Sequence, residues 1–137
     1  MIWKKKIDLK NINCSLKNTM ADFLNILIVD VGDNTIKATM PVNAKTIQPF
    51  GILHGGASVV LAETIGSIAS NLCLDNNHFS VGLDINANHI KSVKDKYIEG
   101  ITSPVHLGRS THVWTIKIMQ NNKITCVSRL TTAVLKK

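Results

Sequence analysis

Between Gln48 and Ser70 the chain gathers the residue types that can polarise and attack a carbonyl. Gln48 opens a turn rich in Pro and Gly. His54, Gly55 and Gly56 close it and begin an apolar stretch that reads as a helix to about Leu72. Glycines at a helix start leave the first amides uncluttered, and those amides lack intrahelical partners. Together with the helix dipole they suit an anion or an oxygen gaining negative charge. Eight residues on stands Glu63, in a segment apolar almost all round, where a lone carboxylate is costly to bury. A carboxylate so placed can serve as a general base or a nucleophile. Ser67, one turn further, shares its face. Gly55 and Glu63 are then about 12 Å apart along one helix axis at ~1.5 Å per residue. One carbonyl cannot touch both within one chain, so the spacing calls for two copies related by a two-fold axis.

The rest of the chain must hold that helix. Thr19 reads as the N-cap of a short helix, with Asp22 three residues on. Ile26 to Val31 and Thr35 to Val42 read as strands joined at Gly32-Asp33-Asn34, the second ending near Pro41. After a polar break at Leu74 to His78, Phe79 to Val93 reads as a strand, with Gly82 a bulge or a point of close approach. Tyr97 to Val105, Ser110 to Gln120 and Ile124 to Leu135 come next, the last two joined by a hairpin at Asn121-Asn122-Lys123. One long helix among antiparallel strands predicts a single α+β domain over residues 1–137, with the sheet wrapped around the helix.

Composition narrows the function. With 137 residues, 45 % of them hydrophobic, the chain can bury one core. No apolar run approaches the ~20 residues of a membrane span, and Met1 to Lys6 lacks the apolar stretch of a signal peptide. Cys14, Cys73 and Cys126 are scattered and odd in number, which fits a reducing cytoplasm rather than a disulfide framework. The net charge is +7, and all but two of the 16 basic residues are lysines spread along the chain. Aromatics are only 4 %, so nucleic acid is not the expected partner, whereas a phosphorylated small ligand suits the positive field. No metal-ligand spacing occurs, and no Ser stands in a Gly-x-Ser-x-Gly turn.

The run from Gln48 to Ser58, continued by Leu61 to Ser67, closely resembles the hotdog-fold acyl-CoA thioesterases. The nearest branch cleaves aryl-CoA thioesters such as 4-hydroxybenzoyl-CoA and 1,4-dihydroxy-2-naphthoyl-CoA, the latter in menaquinone synthesis. The resemblance extends over nearly the whole chain, through Met1 to Lys4, Asn18 to Met20, Asn86-Ala87, Pro104 to Arg109 and Arg129 to Leu135. It implies that the Gly55 amide meets the thioester oxygen and that Gln48 and His54 orient the same group. Glu63 of a facing subunit would attack or activate water, and Ser67 would place the water or the leaving group. No separate cofactor is implied, since CoA is part of the substrate.

The same resemblance puts the CoA nucleotide near His106, Gly108, Arg109 and Ser110, with His89 and Lys91 on a neighbouring strand and Gly82 along the pantetheine arm. Arg109 can grip phosphate oxygens in bidentate fashion. This chain has Ile90 where the relatives carry a second His. Phe50, Val59 and Ile68 are expected in the acyl pocket wall. The expected assembly is a homodimer with shared sites, doubled into a tetramer. Two other readings share these residues: a thioesterase clearing aryl groups from a carrier protein, and an acyl-CoA binding module without catalysis.

Overall fold

The computed structural model describes residues 1–137. Six antiparallel strands form one sheet: β1 (Leu27–Val31), β2 (Ile36–Pro41), β3 (His78–His89), β4 (Tyr97–Leu107), β5 (Thr111–Gln120) and β6 (Lys123–Lys136). Their spatial order is β1-β2-β4-β5-β6-β3, so β1 and β3 are the edges. Helices α1 (Leu9–Ser15) and α2 (Met20–Phe23) precede the sheet, and α3 (Gly55–Leu72) crosses it, touching β2 to β6. This is the α+β hotdog arrangement, a sheet curled about one long helix.

The alternation of the strands explains the packing. Trp114, Ile116 and Ile118 of β5 face inward and are fully buried, and Leu61, Ile65 and Ala69 of α3 meet them from the helix side. The hairpins obey their turn chemistry. Asn121 and Asn122 both take positive φ, 51° and 60°, which the two-residue turn between β5 and β6 demands. Gly32 donates to the Thr35 carbonyl at 2.9 Å across the β1–β2 turn.

Three expectations change, and one helix comes unannounced. Helix α1 is capped by Asp8, whose carboxylate accepts from the Asn11 amide, and packs Ile12 against the core, while Asn13 exchanges two hydrogen bonds of 2.9 Å with the backbone of Ile28. Thr19 does not cap α2 with its side chain. Its hydroxyl donates to the Leu16 carbonyl, while the Asp22 carboxylate takes the Asn18 amide and the Lys17 ammonium. Strand β3 stops at His89, because the next two amides both turn to the Thr125 carbonyl. Helix α3 is covered on the sheet side only. Its other face, with Val59, Val60, Glu63, Ser67 and Ile68, is half-buried. Desolvation of Glu63 is therefore partial within one chain. No helix is long and apolar enough to cross a membrane.

Candidate active site

The segment from Asn43 to His54 places the helix start. Buried Thr46 pins it: the hydroxyl bonds the Pro41 carbonyl at 3.1 Å and accepts from the Asn43 amide at 3.0 Å. A narrow loop comes after it, closed by the Ile47–Leu53 bridge and by Gln48 N–H to the Ile52 carbonyl at 2.9 Å. Gly51 completes the turn at φ 73°, a conformation glycine adopts without strain. The Leu53 amide then bonds the Val93 carbonyl at 2.7 Å, tying the loop to the segment after β3.

These ties create a cleft of about 290 Å³ at the start of α3, lined in part by Gln48, Gly55, Ser58, His89 and Lys91. His89 reaches it from the end of β3 and lies on Gly55. A Cβ at Gly55 would stand 2.5 Å from His89 Nε2, so only glycine admits the ring there. His54 caps the helix, its Nδ1 accepting from the Gly56 amide at 2.8 Å, which leaves the ring proton on Nε2. The Ala57 and Ser58 amides bond the His54 carbonyl, whereas the Gly55 amide has no partner. The Gln48 side-chain oxygen accepts from the Phe50 amide, so its NH2 group is the end left to donate.

The cleft is thus rich in donors and its lining contains no carboxylate. It suits an electron-rich oxygen. The candidate carboxylate lies elsewhere. Two turns along α3, the Glu63 carboxylate rests on Gly82 of edge strand β3, where a Cβ would stand 2.6 Å from Glu63 Oε1. The β3–β6 register slips between Gly82 and Asp84, so the expected bulge and the expected close approach coincide. The Glu63 carboxylate makes neither a hydrogen bond nor an ion pair within the chain. Val59, Glu63 and Ser67 succeed one another at helical spacing on the half-buried face.

The remaining residues lie apart from both. Ser67 and Ile68 border a cavity of about 260 Å³ with Ile12 and Leu72. Gly108 and Arg109 line the largest cavity, about 510 Å³, with Lys4 and His78, beyond the C-terminal end of α3. His106 folds over Gly108, and the Ser110 carbonyl holds the Val134 amide at 2.8 Å. Phe50 sits at the tip of its turn, 89 % exposed, outside the cleft at the helix start. One chain therefore unites Gln48, Gly55, His89 and Lys91, but not Glu63, Ser67 or Arg109.

Beneath the far cavity lies a polar group that the sequence did not single out. Ser70 Oγ lies 2.8 Å from His112 Nδ1 and 2.8 Å from Thr132 Oγ1, all buried. Burial pushes the His112 ring below its ordinary pKa, and the Gly108 carbonyl offsets this only in part. Burial likewise raises the Cys73 thiol to about 11, which leaves it unreactive. Ser58 also escapes a reading by motif. Its signal is positional, a hydroxyl in the helix stripe that otherwise places Leu61, Ile65 and Ala69 against the sheet.

Residues 50–127 match the thioesterase superfamily. The chain is 50 % identical to 1,4-dihydroxy-2-naphthoyl-CoA hydrolase of Escherichia coli over 98 % of its own length and 100 % of that protein. It is 43 % identical to a proofreading thioesterase of Cronobacter sakazakii, over 98 % and 99 %. A crystal structure of a Haemophilus influenzae thioesterase superposes with a TM-score of 0.97 at 49 % identity, covering 99 % of this chain and 96 % of that one. A Pseudomonas aeruginosa thioesterase variant gives 0.98 at 43 % identity, with full coverage of both.

Proposed function

The chain belongs to the thioesterase superfamily, as a thioester hydrolase of hotdog fold, and on that premise we propose that it hydrolyses an aromatic acyl-CoA, 1,4-dihydroxy-2-naphthoyl-CoA, across a dimer interface. Water and the thioester give a carboxylic acid and the free CoA thiol. The observation that carries the reading is the separation of two complementary halves. A donor-rich cleft without a carboxylate stands at the helix start, and an unpartnered carboxylate stands about 12 Å along the same helix.

Two-fold pairing brings the halves together. Strand β3 is a free edge of 12 residues beside Glu63, and such an edge offers its backbone to a second copy. Antiparallel pairing of β3 with its equivalent makes one continuous sheet and sets the two α3 helices antiparallel. The Gly55 amide and the Gln48 NH2 group then polarise the thioester oxygen, with the His54 Nε2–H directed to the same group. Glu63 of the partner subunit attacks the carbonyl carbon or takes the proton of the attacking water, and Ser67 positions that water. Aryl specificity and a place in menaquinone synthesis rest on the 50 % identity with the Escherichia coli hydrolase.

The test is Glu63→Ala and Glu63→Gln, with thiol release measured from benzoyl-CoA and 1,4-dihydroxy-2-naphthoyl-CoA. Loss of a base or nucleophile should cut turnover by about 10³-fold or more with the fold intact. Turnover like that of the unmodified protein would overturn the mechanism. The likeness to proofreading thioesterases favours one second reading, an acyl group carried on a protein. A higher kcat/KM on an aryl-loaded carrier domain than on the matching CoA ester would establish it instead.

A further inference from the structure

We infer that Ser58 supplies a further donor to the thioester oxygen beside the Gly55 amide, an assignment that rests on the thioesterase reading above. Ser58 is only 3 % exposed, yet its hydroxyl makes no hydrogen bond within the chain. Burying a hydroxyl without a partner is unfavourable by about 1–3 kcal/mol. Ser70, twelve residues on in the same helix, is buried as deeply and has two partners at 2.8 Å each. Two atoms elsewhere, Ser80 Oγ and Trp114 Nε1, are sealed in without a partner. Ser58 differs from both cases, because its residue forms part of the cleft lining. A partner for it can enter from there.

Helical geometry says where that partner sits. Side chains of a helix lean toward its N-terminus, so a residue covers the turn before its own Cα. Ser58 is three residues after Gly55, which puts its hydroxyl over the first turn, next to the one amide of that turn left free. The Gln48 NH2 group and the His89 ring face the same space. An oxygen received there meets donors on several sides and no acceptor competing as a carboxylate would. Negative charge builds on that oxygen when the carbonyl carbon becomes tetrahedral. A hydroxyl held nearby by the helix stabilises the charge with little reorganisation. The oxygen returns to a carbonyl when the carbon–sulfur bond breaks, so Ser58 gives up no proton.

The experiment compares Ser58→Ala and Ser70→Ala with the unmodified protein. On benzoyl-CoA, Ser58→Ala should lose about a hundredfold in kcat, with a far smaller change in KM and no loss of thermal stability, because no internal partner is orphaned. Ser70→Ala should do the reverse, losing stability and keeping kcat. A second measurement avoids turnover. Phenacyl-CoA carries a methylene between sulfur and carbonyl, so it binds without being hydrolysed. Its carbonyl stretch, labelled with ¹³C, should move to higher wavenumber in Ser58→Ala than in the unmodified protein. Unchanged kcat and an unchanged stretch overturn the assignment while leaving the thioesterase reading in place. If the unmodified protein neither hydrolyses benzoyl-CoA nor binds phenacyl-CoA, both fail together.

Discussion

The Glu63 carboxylate lies against the backbone of Gly82, close enough that a methyl group at residue 82 would stand 2.6 Å from Oε1. The obstacle is the far end of a flexible side chain, so the fold can absorb it by moving the carboxylate. If Glu63 reacts as proposed, Gly82→Ala should therefore melt within a few degrees of the unmodified protein while losing about 10- to 100-fold in kcat, as expected for a reacting group shifted by about 1 Å. Melting curves and thiol release on the same samples check this. Full activity in Gly82→Ala would show that the resting place of Glu63 is irrelevant to the chemistry.

Sharing of the site between subunits is tested by mixing two dead variants. Glu63→Ala keeps the cleft, and Gln48→Ala keeps the carboxylate. In a mixed dimer one of the two sites is then whole. Random re-association should restore about a quarter of normal activity, half of the dimers being mixed and half of their sites intact. If each chain carried a complete site, mixing would restore nothing.

The long helix was legible because its limits are written locally. Gly55-Gly56 begins it, and the polar run Asp75-Asn76-Asn77 lies just beyond its last turn. The hairpins were legible for the same reason. Helix α1 was not, although Asp8 caps it, since it is only two turns long and much of its support comes from the exchange between Asn13 and Ile28, fifteen residues apart. In the candidate site, the motif from Gln48 to Ser67 marked the helix start and the Glu63 face, but the meeting of His89 with Gly55 depends on where β3 ends. No local signal announces that. The bulge at Gly82 was legible as a glycine in a strand, whereas the carboxylate above it belongs to tertiary packing.

Arg109 lines the largest cavity together with Lys4 and His78, away from the cleft at the helix start. If this basic corner receives the phosphates of CoA, its effect should depend on the nucleotide being present. Arg109→Ala should raise KM for benzoyl-CoA by about tenfold, the scale of one charge-assisted hydrogen bond. The same substitution should leave KM for the benzoyl thioester of N-acetylcysteamine, which has no phosphate, unaffected. Equal effects on both thioesters would remove Arg109 from nucleotide binding.

The buried cluster of Ser70, His112 and Thr132 predicts a pH dependence of stability rather than of turnover. Burial holds the His112 ring below its ordinary pKa of 6.5, so it stays neutral in the folded chain when the unfolded chain has begun to protonate. In that interval the unfolded state binds more protons, and stability falls as the pH falls. The loss begins near pH 6.5, deepens toward the lowered folded value and levels off below it. Above pH 7 both states are neutral and the contribution is flat. His112→Asn keeps an acceptor within reach of the Ser70 hydroxyl but removes the titration. It should be less stable at pH 7 by about 1–3 kcal/mol, through lost ring volume. Its stability should then decline less steeply between pH 7 and pH 5 than that of the unmodified protein. Urea unfolding at the two pH values measures the difference, and an identical decline in both proteins would show that His112 titrates alike in the folded and unfolded chains.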